Sequence, residues 1–387
     1  PDPEELTHPY STENIKKCQT VFGYTSEELK VILSPMGEAG YEAVGSMGAD
    51  TPLAVLSKQS QHISNYFKQL FAQVSNPPID PIRERLVMSL FTRIGESHNI
   101  LAESPRHTRQ IHISQPVLLN EDLEKIKHLE DQGYRTVTLY GHFETDHQPG
   151  RLLEALNQLC KEAEGAIYAG KNIIIISDRN SNDSKAPIPT LLATGAVHHH
   201  LVKKKLRTRA GLVVEAGDIR ETHHFATVIG YGASAINPYL ALESLIHLNE
   251  KGAFAKDIPQ NQLFYNFQKA VGSGLLKVLS KMGISTLQSY QGSQIFEAIG
   301  LGPLEELLAD PAVTILLARD DDALVGCVAV TRKGDALAYL GMLCVLPTLQ
   351  SGGLGRRLLD AAEDAFESMP RPRRKDDAAV AETIRIA

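Results

Sequence analysis

Three groups of residues have types and spacings suited to chemistry. The first is Gly45-Ser46-Met47-Gly48, followed by Thr51-Pro52. Glycine lets backbone approach a ligand closely or take a positive φ, and proline fixes the exit from the turn. Ser46, Met47 and Gly48 are therefore the leading binding candidates in the first part of the chain. The second group follows apolar runs of strand length: Asp178-Arg179, then Glu215 and Asp218, then Tyr231 and Asn237-Pro238. In parallel sheets such positions face ligands. They also cap helices or pair with Arg179, Arg207 or Arg220, and without a glycine-rich phosphate loop among these turns the structural role is preferred. The third group is Gln350-x-x-Gly353-x-Gly355-Arg356-Arg357, which opens an amphipathic segment. Successive N–H groups and the dipole of a helix N-terminus there suit an anionic group.

Other residues invite sharper readings than they support. His198-His199-His200 lie next to one another, and consecutive helical residues point about 100° apart. A metal helix prefers i, i+4 spacing, so these three, like His223-His224, are expected to be structural, and no metal ligand is assigned. Lys203–Lys205 fits a solvated helix end. Asp80 and Arg83 fit a brace for the stiff connector Asn76-Pro77-Pro78-Ile79-Asp80-Pro81, which cannot be helix interior.

The elements that must position these groups follow from apolar spacing. Residues 25–36, TSEELKVILSPM, carry a capping box and an amphipathic helix expected to stop at Pro35. Leu53, Val55 and Leu56 restart an apolar segment. From about 135 the rhythm becomes strand, helix, strand. TVTLY (136–140), NIIIIS (172–177), AGLVVEAG (210–217) and FATVIGYG (225–232) read as four strands. Leu152, Leu156, Leu159, Cys160, Ala163 and Ile167 share one helical face within 149–168, and a second helix covers roughly 190–205. Alternation of this kind predicts an α/β fold with a largely parallel sheet and flanking helices. Residues 271–302 read as helix, tight turn at Met282-Gly283, and second helix.

From Pro303 the composition shifts to Ala, Leu, Asp and Arg. Strands are expected at 313–319 and 323–331, joined by a short Asp-rich turn, and a third strand leads into the Gln350 turn. Leu354, Leu358, Ala362, Ala365 and Phe366 form the inward face of the helix after it. Residues 1–20 read as a linker and 369–387 as a charged tail.

The motifs SMGADTPLAVLS, FAQVSNPPIDPIRE, SDRN, HHFATVIGYGASAINPYLA and LSKMGISTLQSYQGSQIFEAIGL stand in order between Val21 and Gly302. This stretch resembles the central domain of the large (α) subunit of glutamate synthase, departing at Ala49 and Leu279. The resemblance implies a connecting domain, with incomplete barrel-like character, between an amidotransferase domain and an FMN-binding barrel. Those two domains would be its partners, and FMN and a 3Fe-4S cluster would belong to the second. It also implies that Ser46-Met47-Gly48 reaches the edge of the FMN and 2-oxoglutarate site, with Met47 as the contact residue. Neither catalytic half is expected here, so no catalytic residue is assigned and the chain alone is expected to be inactive.

Residues 303–368 resemble part of a GNAT-family N-acetyltransferase. That resemblance implies a CoA pyrophosphate turn at Gln350, Gly353, Gly355 and Arg356, with acetyl-CoA bound only weakly because much of the domain lacks a match. Three functions therefore stand: connecting domain, acetyl-CoA-dependent transferase, or non-catalytic chimeric scaffold.

Length and composition are compatible with all three. With 387 residues, two or three domains are expected. A hydrophobic content of 43% is ordinary for a globular protein, and a net charge of −7 argues against a general nucleic-acid binder. Cys18, Cys160, Cys327 and Cys344 are scattered without C-x-x-C spacing, which reads as reduced thiols. No apolar run approaches a membrane span. A cytoplasmic location is expected, or a plastid one in a photosynthetic eukaryote. The opening at Pro1, without Met, reads as a processed piece, an excised piece or an incomplete open reading frame.

Overall fold

The computed structural model describes residues 12–46, 48, 61–70, 80–99, 101–129, 133–146, 148, 150–182, 184–298, 313–320, 323–332, 338–345, 354–368 and 381–385. The chain divides into two compact units, Pro1–Thr51 with His62–Glu297, and Pro52–Gln61 with Ala298–Ala387. Met47, the segment at Leu53–Leu56 and most of the Pro-rich connector lie outside the described residues.

The first unit is built on a four-stranded parallel sheet: β1 (Thr136–Tyr140), β2 (Ile173–Ser177), β3 (Gly211–Glu215) and β4 (Ala235–Asn237), in that spatial order. Thr136 pairs with Ile173, Ile173 with Gly211, and Val213 with Ala235, all in parallel. Every residue of β2 and β3 is buried. Their continuous apolar runs follow from that, because both faces are covered. Alternate residues serve opposite faces. Ile174, Ile176 and Leu212 pack with Leu159, Ala163 and Ile167 of α1 (Arg151–Tyr168) and Val197 and Leu201 of α2 (Thr190–Lys203). Ile173, Ile175, Val213 and Ala235 pack with Ile94, Leu118, Leu123 and Ile126. Each of these leucine, isoleucine and valine side chains stabilises the fold by about 1.5–3 kcal/mol relative to exposure.

The strand expected at 225–232 is instead helix α3 (Thr222–Gly230). Its β-branched Thr227, Val228 and Ile229 suggested a strand, but Phe225, Val228 and Ile229 recur at helical spacing and are fully buried. The fourth strand is the short β4, followed by α4 (Tyr239–Glu250) and α5 (Gln260–Met282).

Pro35 does not stop the helix that begins at Ser26. The Thr25 capping box is formed, but a π-helical turn at Leu29–Leu33 follows, and α-helix resumes over Ser34–Ala39 with Pro35 in its first turn. The wider turn lets the chain continue past a residue that has no N–H to donate. Ser34 Oγ donates to the Leu29 carbonyl at 2.8 Å, adding a side-chain partner there. After α5, Gly283 caps the helix at φ +66, as a turn at Met282-Gly283 requires. The second helix expected there is a single turn, Leu287–Tyr290; Gly292 and Gln294 take positive φ and break it ahead of a strand at Phe296–Ala298.

In the second unit, β5 (Val313–Asp320) and β6 (Ala323–Arg332) form an antiparallel pair, and β6 pairs antiparallel with β7 (Ala338–Val345). Helix α6 (Leu354–Ser368) buries Leu358 and Ala362 while Arg356, Arg357, Asp360 and Asp364 stay exposed. Within the charged tail, where the sequence suggested no strand, β8 (Ala381–Arg385) pairs parallel with β5.

Candidate functional site

The loop that carries Ser46 and Gly48 is fixed by its own backbone and by α3. Ser46 N–H donates to Ala43 O and Gly48 N–H to Gly45 O, each at 3.1 Å. His223 N–H, in the first turn of α3, donates to Ser46 O at 2.8 Å. Gly45 and Gly48 take φ +94 and +92, conformations that suit glycine. A Cβ on Gly48 would lie 3.1 Å from the His223 ring. Ser46 is fully buried, and its Oγ has no hydrogen-bond partner among the described residues.

The carboxyl ends of the strands carry a dense polar network. Both carboxylate oxygens of Asp178 accept from Gly217 N–H, at 3.0 and 2.8 Å. Burial and the neighbouring Asp218 push the Asp178 carboxyl well above the usual carboxylate range. Glu215 is paired with Arg179 and, at 3.1 Å, with Lys127, and accepts from Ser177 Oγ at 2.8 Å. Burial alone would raise its pKa, but the two cations and the Ser177 bond hold it below the usual value. Arg179 lies over the Tyr239 ring at 4.0 Å. Arg220 grips Glu28 at 2.6 and 2.9 Å and stacks over Tyr24 at 4.5 Å. These pairings give Asp178, Arg179, Glu215 and Arg220 structural partners.

Beside this network sits a pair that the sequence did not reveal. His62 stacks on His224 with ring centroids 3.8 Å apart. Ser64 N–H donates to His62 Nδ1 at 3.3 Å, so the proton of the neutral ring sits on Nε2, which faces Asp218 at 3.8 Å. His224 Nε2 lies 3.1 Å from Glu221. Burial is the largest influence on both rings and holds both pKa values well below the usual histidine range. Glu221 is pushed up to about 7, again chiefly by burial. His62 Nε2, Asp218 Oδ1, Thr222 Oγ1 and His224 Nδ1 are buried without a hydrogen-bond partner among the described residues. Such orphaned groups mark places that water or a small polar molecule satisfies. No local signal joins His62 to His224, which are far apart in the chain.

The three adjacent histidines of α2 separate as consecutive helical residues must. His198 Nδ1 accepts from Arg207 Nε at 3.0 Å, His200 pairs with Glu164 at 2.7 Å, and His199 meets the edge of Tyr231. Burial, then Arg207, lower the His198 pKa to about 4. His198, His199, Tyr231 and Phe296 line a cavity of about 230 Å³. Among the described residues no three His, Cys, Asp or Glu side chains are placed to share an ion.

Of the two candidate binding turns, Ser46-Met47-Gly48 and Gln350 to Arg356, the first has Ser46 and Gly48 standing together at the start of α3. Met47, Gln350 and Gly353 lie outside the described residues, Gly355 is in the first turn of α6, and Arg356 is exposed.

Residues 17–302 match the glutamate synthase central domain model, and residues 284–373 match the acetyltransferase (GNAT) family model. The chain is 44% identical over 287 residues to glutamate synthase [NADH] of Schizosaccharomyces pombe, covering 74% of this chain and 14% of that one. It is also 44% identical over 301 residues to the glutamate synthase [NADPH] large chain of Bacillus subtilis, covering 78% of this chain and 19% of that one. The ferredoxin-dependent glutamate synthase of Pyropia yezoensis is matched at 44% over 302 residues, 75% of this chain and 19% of the relative. The chain thus spans less than a quarter of the length of these curated relatives. A flavocytochrome b2 structure aligns at a TM-score of 0.30 and 12% identity, over 47% of this chain and 39% of that one, too distant to bear on the fold. No helix among the described residues is long and apolar enough to cross a membrane. With the buried parallel sheet, the anchored Ser46 loop and a family match spanning residues 17–302, the chain belongs to the glutamate synthase central domain family.

Proposed function

We propose that residues 17–302 act as the connecting domain of a glutamate synthase large chain, between an amidotransferase domain and an FMN domain. The whole enzyme makes glutamate from glutamine and 2-oxoglutarate. The observation that carries this reading is the Ser46 loop. Two positive-φ glycines and the His223 N–H to Ser46 O bond hold Ser46 and Gly48 in one geometry on either side of Met47. Met47 is the residue offered to the flavin and 2-oxoglutarate site of the neighbouring domain. The contribution of this chain is positional: it presents a preformed loop edge, and the flavin supplies the redox chemistry.

On their own, these 387 residues are proposed to be inactive in glutamate synthesis. The first unit contains two of the four cysteines, Cys18 and Cys160, which is short of the three thiolates of a 3Fe-4S cluster. The cluster and FMN are assigned to other domains of the parent enzyme. A cytoplasmic location, or a plastid one, accords with relatives that include a chloroplastic enzyme of Oryza sativa.

A second reading rests on the GNAT match at 284–373. The turn Gln350–Gly355 with Arg356 would hold the CoA pyrophosphate at the start of α6, weakly, and without acetyl transfer. The third reading, a non-catalytic scaffold joining two foreign pieces, describes the same polypeptide if neither site works.

Grafting tests the first reading. Residues 17–302 replace the matching segment of a bacterial glutamate synthase large chain, and glutamine-dependent glutamate formation is measured. Retained synthesis supports the proposal. A graft that binds FMN normally yet forms no glutamate overturns it.

A further inference from the structure

The cavity beside α2 and α3 is built from residues that the network at the strand ends does not use. Its volume is about 230 Å³, and it is lined by His198 and His199 of α2, by Gly230 and Tyr231 at the end of α3, and by Gly292 and Phe296. Sites for drug-sized ligands measure about 300–1,000 Å³, so this one suits a single ring with one substituent. No Asp, Glu, Lys or Arg side chain lines it. A charged ligand would lose hydration there and gain no counter-ion.

Aromatic rings form the apolar part of the wall. Tyr231 and Phe296 have centroids 6.4 Å apart and planes 28° from parallel, and His199 meets Tyr231 edge-on at 6.3 Å. Phe67 packs edge-on against Tyr231 at 5.4 Å, and Tyr290 against Phe296 at 6.4 Å. Glycines let these rings come close. A Cβ on Gly230 would stand 2.6 Å from the Phe296 ring, and one on Gly195 would stand 3.2 Å from the Tyr231 ring.

One edge of the wall is polar, and its proton is fixed in place. Arg207 donates from Nε to His198 Nδ1 at 3.0 Å, and from its terminal nitrogens to Ala210 O and Gly232 O at 2.8 and 2.7 Å. A guanidinium only donates, so Nδ1 accepts and the proton of the neutral ring sits on Nε2. Burial, then Arg207, keeps that ring neutral. Nε2 is turned toward Gly292, where a Cβ would lie 3.2 Å from it. Gly292, at φ +68, leaves that space open, and no acceptor among the described residues takes the Nε2 proton.

We propose that this cavity is a binding site for small, uncharged aromatic molecules that carry a hydrogen-bond acceptor. The ligand ring packs against Tyr231 and Phe296, and its carbonyl oxygen or ring nitrogen accepts from His198 Nε2–H. Aromatic packing adds to the area buried, and the acceptor satisfies a donor that the fold leaves open. Such binding is separate from the connecting role, because none of these residues belongs to the Ser46 loop.

The test titrates the full 387-residue chain with three probes near neutral pH, followed by ligand-observed NMR. Benzamide has the ring and the carbonyl acceptor, cyclohexanecarboxamide has the acceptor without the aromatic ring, and benzamidinium has the ring with a positive charge and no acceptor. Benzamide should bind saturably with a Kd on the order of 1 mM or below. Cyclohexanecarboxamide should bind about threefold weaker or more, and benzamidinium about tenfold weaker or more. Location is read on the same unsubstituted chain with 4-azidobenzamide, photolysed and mapped by mass spectrometry. Label should fall on His198, His199, Tyr231 or Phe296 and be displaced by excess benzamide. Gly292→Ala, which places a methyl group against His198 Nε2, should weaken benzamide about tenfold. Equal binding of all three probes would overturn the proposal, as would absence of saturation or tighter binding of benzamidinium. Label confined to other residues would also overturn it. The photolabel needs no substitution, so a folding defect in Gly292→Ala leaves the result standing.

Discussion

His62 and His224 lie face to face, their ring centroids 3.8 Å apart and their planes within 17° of parallel. His224 is buried and His62 keeps only 11% of its side chain exposed; both rings are neutral, and the acidic neighbours within reach, Asp218 and Glu221, do not restore the lost hydration. The stack joins the segment at His62–Tyr66 to α3, beside the loop that carries Ser46.

A pH dependence of stability follows. Both histidine pKa values are depressed on folding, so between the unfolded value near 6.5 and the lower folded values the unfolded chain binds more protons. Stability from these groups is complete above about pH 6.5 and falls as pH drops below it. Glu221 works in the opposite sense: its carboxyl, pushed up to about 7, takes up a proton more readily when folded and gains stability over the same window. Comparing proteins that share Glu221 isolates the histidine contribution. The urea midpoint should decline less between about pH 7 and pH 5 in His62→Gln than in the unsubstituted chain. Equal slopes would show that His62 is not neutral in the fold.

Gly232 offers a steric test. It takes φ +113, and a Cβ there would lie 2.1 Å from His198 Nδ1, the atom that accepts from Arg207. Gly232→Ala should therefore lose the backbone conformation and the His198 packing together, at a cost above about 1–3 kcal/mol. Gly252, at φ +67 with nothing within 4 Å of where a Cβ would stand, serves as comparison and should lose only about 1 kcal/mol on the same change. Chemical denaturation of the two variants side by side checks the difference. Similar losses would remove the case for the His198–Arg207 contact.

Glu215 tests the ion network at the end of β3. Its side chain is 1% exposed and faces Arg179 and Lys127. Removing one partner of a buried pair leaves uncompensated charge, so Glu215→Ala should cost about 3–5 kcal/mol. Arg179→Met together with Glu215→Leu should recover part of that loss. A single substitution that costs under about 1 kcal/mol would mean that the cations are solvated without Glu215.

How much of this was legible in sequence depended on whether the signal was local. The strands at 136–140, 172–177 and 210–217 announced themselves because burial on both faces demands unbroken apolar runs, and Ile173–Ile176 is such a run. Residues 225–232 misled because the same β-branched residues serve a helix packed on all sides. Pro35 misled because a π turn let the helix continue past it. The Ser46 loop was visible through its two glycines. The His62–His224 stack was not, since it joins residues whose neighbours in sequence give no sign of the contact.

The positioning role proposed for the Ser46 loop is tested most directly in the graft of residues 17–302 in a complete large chain, with and without Gly48→Val. A Cβ at Gly48 meets the His223 ring at 3.1 Å, and φ +92 disfavours valine, so the loop must move. Displacement by about 1 Å near a reacting centre costs on the order of 10²-fold in rate. Glutamate formation should fall by that order while FMN content and glutamine hydrolysis stay near those of the unsubstituted graft. Unchanged glutamate formation in Gly48→Val would contradict a positioning role for this loop.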